Sequence, residues 1–368
     1  MCKYYSLIYI VFSLAKNVYA FNPVYISNPD TLPYTNWMSY FSDFLIADLP
    51  VVPGSHDSAA AEVSPQEGWL GIVGWLYAQT QNINLYNQLK LGIRLLDLRL
   101  TVTYDAFDQT NSINISHTFV SNTSLPEALV QVRQFLSEYP SEFVYLILRV
   151  DAARPLQLEI EAKQRYIESI LRASELSFAT VDAESLASVT VGQVAGKVVI
   201  ITPFNDTLHP NTTMMYIPYD TNFALCDMWK FTSETVAKKR MAECFPQVPL
   251  GSKESLTLTG YALDGQFNQL WPNITSPALN DWWFVNFQQN SVWKPRKKFP
   301  IGIFLFDFVN STYTSTLLDF AMNFGYPYPN NNFHPPWQPG MKIYVSGSLS
   351  TTACTTLVLA FLFIPHLI

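Results

Sequence analysis

The sequence predicts a single-domain α/β fold in which parallel strands close into a (β/α) barrel. Two observations carry this. Short, nearly continuous apolar runs alternate along the chain with segments of helical spacing, the pattern of strands covered on both faces by intervening helices. Charged residues then stand at the C-terminal ends of several of those runs, where a barrel assembles a site.

The runs, in chain order, are Phe44–Val52, Ile93–Leu100, Phe143–Val150, Lys197–Ile201 and Ile301–Phe308. Between them, Ser124–Tyr139 and Gln157–Leu176 have helical spacing, and Ser124 with Glu127 three residues later forms the sequence signature of a capping box. His56 and Asp57 follow the first run. Asp97 and Arg99 end the second, and their spacing of two places them on one face. Arg149 and Asp151 repeat the arrangement, and Asp307 closes the last run. One such pair reads as a solvated strand end or a structural ion pair, whereas four strand ends with charge facing one way read as a site.

Composition narrows the function. The chain has 368 residues, 49% of them hydrophobic and 15% aromatic, which excludes a disordered chain and provides for a large core. Its net charge of −7, with 14% charged residues, excludes nucleic acid held by a basic surface. No repeat or low-complexity linker interrupts residues 21–345.

Both termini look like processing signals. Lys3, the apolar run Leu7–Leu14 and Val18-Tyr19-Ala20 fit a secretory signal over residues 1–20, the run being too short to span a bilayer. Residues 346–368 begin with Ser346-Gly347-Ser348, continue with an uncharged spacer and end on an apolar stretch. That is the order of a glycosylphosphatidylinositol (GPI) attachment signal, with a plain hydrophobic tail as the alternative. Removing both segments takes away Lys3 and Lys16 and no acid, so the net charge moves from −7 to −9. The expected location is outside the cell or on the outer face of its membrane. Of four cysteines, Cys226 and Cys244 remain between the signals and can pair in an oxidising compartment. Sequons begin at Asn114, Asn122, Asn205, Asn211, Asn273 and Asn310, as on a glycosylated surface.

Several motifs together resemble the X domain of phosphatidylinositol-specific phospholipases C, especially the bacterial enzymes and short proteins containing only that domain. They are Pro53-Gly54-Ser55-His56-Asp57-Ser58, Gln79-Thr80, Gln88-Leu89, Gly92 to Arg99, the single His117 on the next strand, Leu136 to Leu146, Gly196 to Ile201 and Gly302 to Phe308. The resemblance runs from about residue 44 to about 325. It implies a distorted TIM-like barrel and cleavage of an inositol phosphodiester by attack of the ring 2-hydroxyl on phosphorus. That chemistry needs a base, an acid and positive charge on the phosphoryl oxygens. The resemblance assigns His56 as base and His117 as acid, Asp307 as the partner of His56, Asp57 as that of His117, Arg99 as the phosphate cation and Asp97 as a support. Calcium-dependent relatives carry Asn after the first histidine and an acid where Arg99 stands, so the implied catalysis needs no metal or other cofactor.

Arg149, Asp151, Asp227 and Trp229 fall where the family binds inositol. Two positions depart from the family: Thr202-Pro203-Phe204 replaces an expected inositol-binding arginine, and Thr118 follows His117 in place of glycine. The uncharged stretch between Glu67 and Lys90, with Trp69 and Trp75, reads equally as a membrane-contacting element or as core. The implied partners are an inositol phospholipid or GPI substrate and a membrane surface, with the protein a monomer. A metal-dependent glycerophosphodiester phosphodiesterase and a non-catalytic inositol-lipid binder are the competing readings.

Overall fold

The computed structural model describes residues 34–46, 49, 51–61, 78–105, 110–117, 119–150, 160–181, 185, 188–202, 217–218, 235–236, 238–239, 258–259, 280 and 303–323. Both termini, Asp151, Cys226, Asp227, Trp229, Cys244, the sequons at Asn205, Asn211 and Asn273, and Trp69 and Trp75 lie outside these residues. Pro33–Ile368 forms one compact unit and Met1–Leu32 another.

Among the described residues nine strands form one sheet: β1 (Val52–Ser55), β2 (Leu95–Asp105), β3 (Thr110–His117), β4 (Phe119–Ser124), β5 (Val144–Val150), β6 (Val198–Thr202), β7 (Ile217–Pro218), β8 (Leu258–Thr259) and β9 (Ile303–Phe306). Seven pair in parallel in the order β7-β6-β5-β2-β1-β9-β8. β2 is eleven residues long and outruns β1, pairing with it only at Leu95 and Leu96. Its second half pairs antiparallel with β3, from Leu100 opposite Ile115 to Asp105 opposite Thr110, and β4 returns along β3. The parallel pattern is thus broken at one place, beside the end of β1.

The helices given in full among the described residues are α1 (Leu85–Lys90), α2 (Leu125–Glu138), α3 (Ile160–Ala173), α4 (Val191–Val194) and α5 (Ser311–Asn323). α2 shows why they form where they do. Ser124 caps it, accepting from the Glu127 amide, while the Glu127 carboxylate accepts from the Ser124 amide and hydroxyl, and these two bonds to the carboxylate hold it below the usual range. Leu125, Ala128, Leu129, Val132, Phe135 and Leu136 then recur at helical spacing and are all buried. They pack on the outward face of the strands, with Leu96, Leu98, Leu100, Leu146, Leu148, Ile200 and Phe306.

The opposite face holds Val52, Leu95, Tyr145, Ile147, Val199, Ile201 and Leu305, and these pack on Trp37, Met38, Phe41 and Ile46. Residues 34–46 therefore plug the N-terminal end of the sheet's inner face. The segment includes one short 3-10 turn, Trp37–Phe41. Trp37 Nε1 donates to the Gly92 carbonyl at 3.0 Å and Thr35 Oγ1 to that of Lys90 at 3.0 Å. Gly92 follows the end of α1 with φ of 103°, a conformation that favours glycine.

The first predicted strand is placed differently. The described residues from Phe44 to Val51 are not in a strand, and β1 begins only at Val52. Residues 42–46 bond instead to 189–192 below the sheet: the Ile46 amide to Val189, Val191 to Phe44 and Gly192 to Ser42. Apolar runs buried in a plug and in a strand look alike in sequence, because both are dry on every side.

Candidate active site

Period-two alternation builds the site. The residues that follow Leu95, Ile147 and Leu305 on the inner face are Asp97 and Arg99 on β2, Arg149 on β5 and Asp307 just after β9. The lower half of the face is apolar and plugged, and the upper half is charged. Arg99 and Arg149 are register partners on adjacent strands.

β1 and β9 run side by side until the His56 amide donates to the Phe306 carbonyl at 3.0 Å, and then both chains turn. Asp57 turns with φ of 41° and Phe308 with φ of 52°. Left-handed backbone at a non-glycine residue costs on the order of 1 kcal/mol, and here it occurs directly after each of the two residues that pair. Ser58 fixes the first turn: its hydroxyl donates to the Ser55 carbonyl at 2.8 Å and accepts from the Ser55 hydroxyl and the Asp97 amide, both at 2.7 Å.

Within this frame His56 Nδ1 lies 2.8 Å from Asp307 Oδ1. His56 Nε2 lies 3.2 Å from Asp57 Oδ2 and 2.7 Å from Arg99 Nη2. Arg99 Nε also pairs with Asp57 Oδ1, and Arg149 Nη2 reaches Asp97 Oδ2 at 2.6 Å. The three carboxylates and His56 are buried, while the Arg99 and Arg149 side chains are 21% and 24% exposed, so the two guanidiniums form the solvent-facing surface of the site. Three buried carboxylates face two guanidiniums, and a proton on His56 would balance the charge. Burial opposes that proton, but Asp57 and Asp307 outweigh burial and the repulsion from Arg99, raising the His56 pKa from 6.5 to about 9.

Of the predicted catalytic residues, the structure gathers His56, Asp57, Asp97, Arg99 and Asp307 together with Arg149. Arg149, expected at the inositol ring, is held by Asp97. Asp57, expected to serve His117, has its carboxylate against His56 and Arg99. His117 ends β3, and its side chain lies outside the described residues. Asn122 is exposed, Asn114 Nδ2 donates to Ser112 Oγ at 2.8 Å, and the Asn310 side chain accepts from the Tyr313 amide at 3.0 Å.

Ligand atoms of His56, Asp57 and Asp97 lie within 4.8 Å of one another, the grouping that a divalent cation needs. Both carboxylates are already paired with guanidiniums, so the donor set fits a divalent cation poorly: the cation would have to displace Arg99 and Arg149.

Residues 72–203 match the family model described as phosphatidylinositol-specific phospholipase C, X domain. The X-domain resemblance is thereby borne out. The matched segment holds Asp97, Arg99, His117 and Arg149, while His56, Asp57 and Asp307 lie outside it. A 1-phosphatidylinositol phosphodiesterase of Listeria monocytogenes is 27% identical over 150 residues, 39% of this chain and 42% of that protein. PI-PLC X domain-containing protein 3 of Danio rerio is 32% identical over 139 residues, 31% of this chain and 41% of that protein. The sequence matches thus span about two fifths of these relatives' length.

Solved structures extend the likeness in fold. The phosphatidylinositol-specific phospholipase C of L. monocytogenes superposes with a TM-score of 0.60 at 21% identity, over 78% of this chain and 98% of that one. The Staphylococcus aureus enzyme gives 0.57 at 17% identity, over 79% and 98%. The fold is the TIM-like barrel of these enzymes, with the β3–β4 hairpin beside β2 as its departure from regular βα alternation.

Proposed function

We propose that the protein is a metal-independent phosphodiesterase that cleaves phosphatidylinositol, or the inositol phosphodiester of a GPI anchor, to a cyclic inositol phosphate. The observation that carries this reading is the buried Asp307–His56 pair with Arg99 at 2.7 Å from Nε2 of the imidazole. His56 Nε2 takes the proton of the ring 2-hydroxyl as its oxygen bonds to phosphorus. The bond from phosphorus to the glycerol oxygen breaks, and His117 protonates that oxygen to release diacylglycerol. Arg99 offsets the charge gathering on the phosphoryl oxygens. It is also the group that the substrate must draw away from His56, so docking of the phosphate frees the lone pair that the hydroxyl needs. Arg149, and Asp151, Asp227 and Trp229 beyond it, are proposed to meet the inositol ring.

The same reading has the chain secreted through residues 1–20, glycosylated, closed by a Cys226–Cys244 disulfide and held at the outer membrane face by GPI added near Ser346. Purified protein and His56→Ala, incubated with labelled phosphatidylinositol and with a GPI-anchored protein, test the activity. Cyclic inositol phosphate from the wild type alone is the expected result, unchanged by a chelator. No product from either substrate sinks the enzymatic reading. Activity abolished by chelation and restored by calcium sinks metal independence and favours the His56, Asp57 and Asp97 grouping as a cation site.

A further inference from the structure

Gln81 is fully buried between the two turns of the site and bonds to both. Its Nε2 donates to the His56 carbonyl at 2.8 Å and to the Phe306 carbonyl at 2.9 Å, and its Oε1 accepts from the Val309 amide at 3.1 Å. Both amide hydrogens are thereby used. Thr80 adds two bonds from the same segment: its hydroxyl donates to the Asp57 carbonyl at 3.0 Å, and its carbonyl accepts from the Phe308 amide at 2.6 Å. The partners are His56 itself and residues within two positions of the His56–Asp307 pair, including the two left-handed residues of the site, Asp57 and Phe308.

The place explains the need. The β1–β9 ladder ends with the bond from the His56 amide to Phe306, one residue before Asp307 on β9. Past that point the strands diverge, and the Gln81 carboxamide stands between them as a rung made from a side chain. The pair that it spans is 251 residues apart in sequence, so chain connectivity does nothing to hold the two at hydrogen-bond distance.

We propose that Gln81, assisted by Thr80, is a positioning residue that holds the Asp307 carboxylate in register with the His56 imidazole and so sets the basicity of His56. The part of this that concerns turnover rests on the phosphodiesterase reading. The part that concerns His56 itself does not.

The test is Gln81→Met, which keeps length and volume but gives up the amide's donors and its strong acceptor. Urea unfolding, NMR titration of His56 and turnover of phosphatidylinositol vesicles are compared with wild type. The low-field Nδ1–H signal of His56 is identified by its absence from His56→Ala. The expected result is a folded variant in which that signal weakens or vanishes and the His56 midpoint falls from about 9 toward 6.5. Turnover falls about 100-fold in kcat with KM little changed, the scale of a misplacement near 1 Å. A variant that is less stable but keeps both the signal and the midpoint overturns the proposal, leaving Gln81 a core residue. Because the NMR readout needs no substrate, a wild type that cleaves nothing while Gln81→Met still shifts His56 defeats the functional reading alone. Should Gln81→Met fail to fold, Gln81→Glu has the same shape with at most one donor, and the same two outcomes apply to it.

Discussion

Arg99 holds its Nη2 2.7 Å from Nε2 of His56, the atom on which a general base receives its proton. Arginine only donates, so this bond exists only while Nε2 is unprotonated. When Nε2 carries a proton, the partner that can accept it is Asp57 Oδ2, at 3.2 Å. His56 therefore has two mutually exclusive arrangements, one facing a cation and one facing an anion. Arg99→Ala removes the cation that disfavours the imidazolium, so the His56 midpoint is expected to rise above about 9, read by NMR titration. Turnover of phosphatidylinositol is expected to fall about 100-fold or more, because phosphoryl charge loses its fixed partner. An unchanged midpoint would show that the short contact plays no part in the titration.

Asp307→Asn keeps an oxygen to accept from Nδ1 while deleting the charge. The His56 midpoint is expected to fall below about 9, since the Asp307 charge helps to raise it. Stability follows with a definite sign. A histidine whose folded pKa is raised from 6.5 to about 9 contributes stability that is fully present below pH 6.5 and is lost as pH climbs through 9. The contribution is on the order of 3 kcal/mol at its fullest, shared between Asp57 and Asp307. Urea unfolding of wild type and Asp307→Asn at pH 6 and pH 9.5 should show the wild-type advantage shrinking at the higher pH. An advantage that grows would reverse the assignment.

Asp97, Arg99, Arg149 and Asp307 are legible in the sequence because a period of two carries a face from Leu95 and Leu305 directly onto them. The capping box of α2 is legible because both partners lie within four residues. Partner choice within the site is not, since the turn that brings the Asp57 carboxylate against His56 and Arg99 depends on a φ of 41°, which sequence spacing leaves open. Gln81 is equally hidden: Gln79-Thr80 stands out as a motif, yet an amide in a polar stretch carries no mark of the carbonyls that it meets 25 and 225 residues away. The plug around Trp37 is hidden because its apolar sequence matches that of a strand.

Gly54 offers a test of how tightly β1 holds the site. A Cβ there would lie 2.7 Å from Leu305 Cδ2 and 3.2 Å from Leu95 Cβ, so β1 is pressed against both neighbours. Gly54→Ala is expected to cost about 1–3 kcal/mol as an overpacked core position. His56 is two residues along, so the displaced strand should also lower kcat in the folded fraction. Thermal unfolding and turnover at a temperature where the variant is folded measure the two effects. A destabilised variant with wild-type kcat would show that the turn at His56 is anchored by Ser58 and Gln81 independently of the strand.

The plug depends on an ion pair that water does not reach. Arg94 donates from Nε and Nη2 to Glu142 Oε2 at 2.9 and 2.7 Å, and from Nη1 to the carbonyls of Leu89 and Ile93 at 2.8 and 2.7 Å. Its Nη2 also reaches the Thr35 carbonyl, and Glu142 Oε2 accepts from the Met38 amide at 3.2 Å, so both charges are tied to the plug. Both side chains are fully buried, and burial lowers the Arg94 pKa against the pull of Glu142. Removing one partner strands the other, which costs about 3–5 kcal/mol, whereas replacing both with apolar residues can be close to neutral. Arg94→Met should therefore destabilise strongly in urea, and Arg94→Met/Glu142→Leu should recover part of the loss. Recovery is expected to stay incomplete, because the Thr35, Leu89 and Ile93 carbonyls and the Met38 amide lose their partners in the double variant as well. A double variant less stable than Arg94→Met would mean that the backbone bonds, rather than the charge pair, hold residues 34–46 in place.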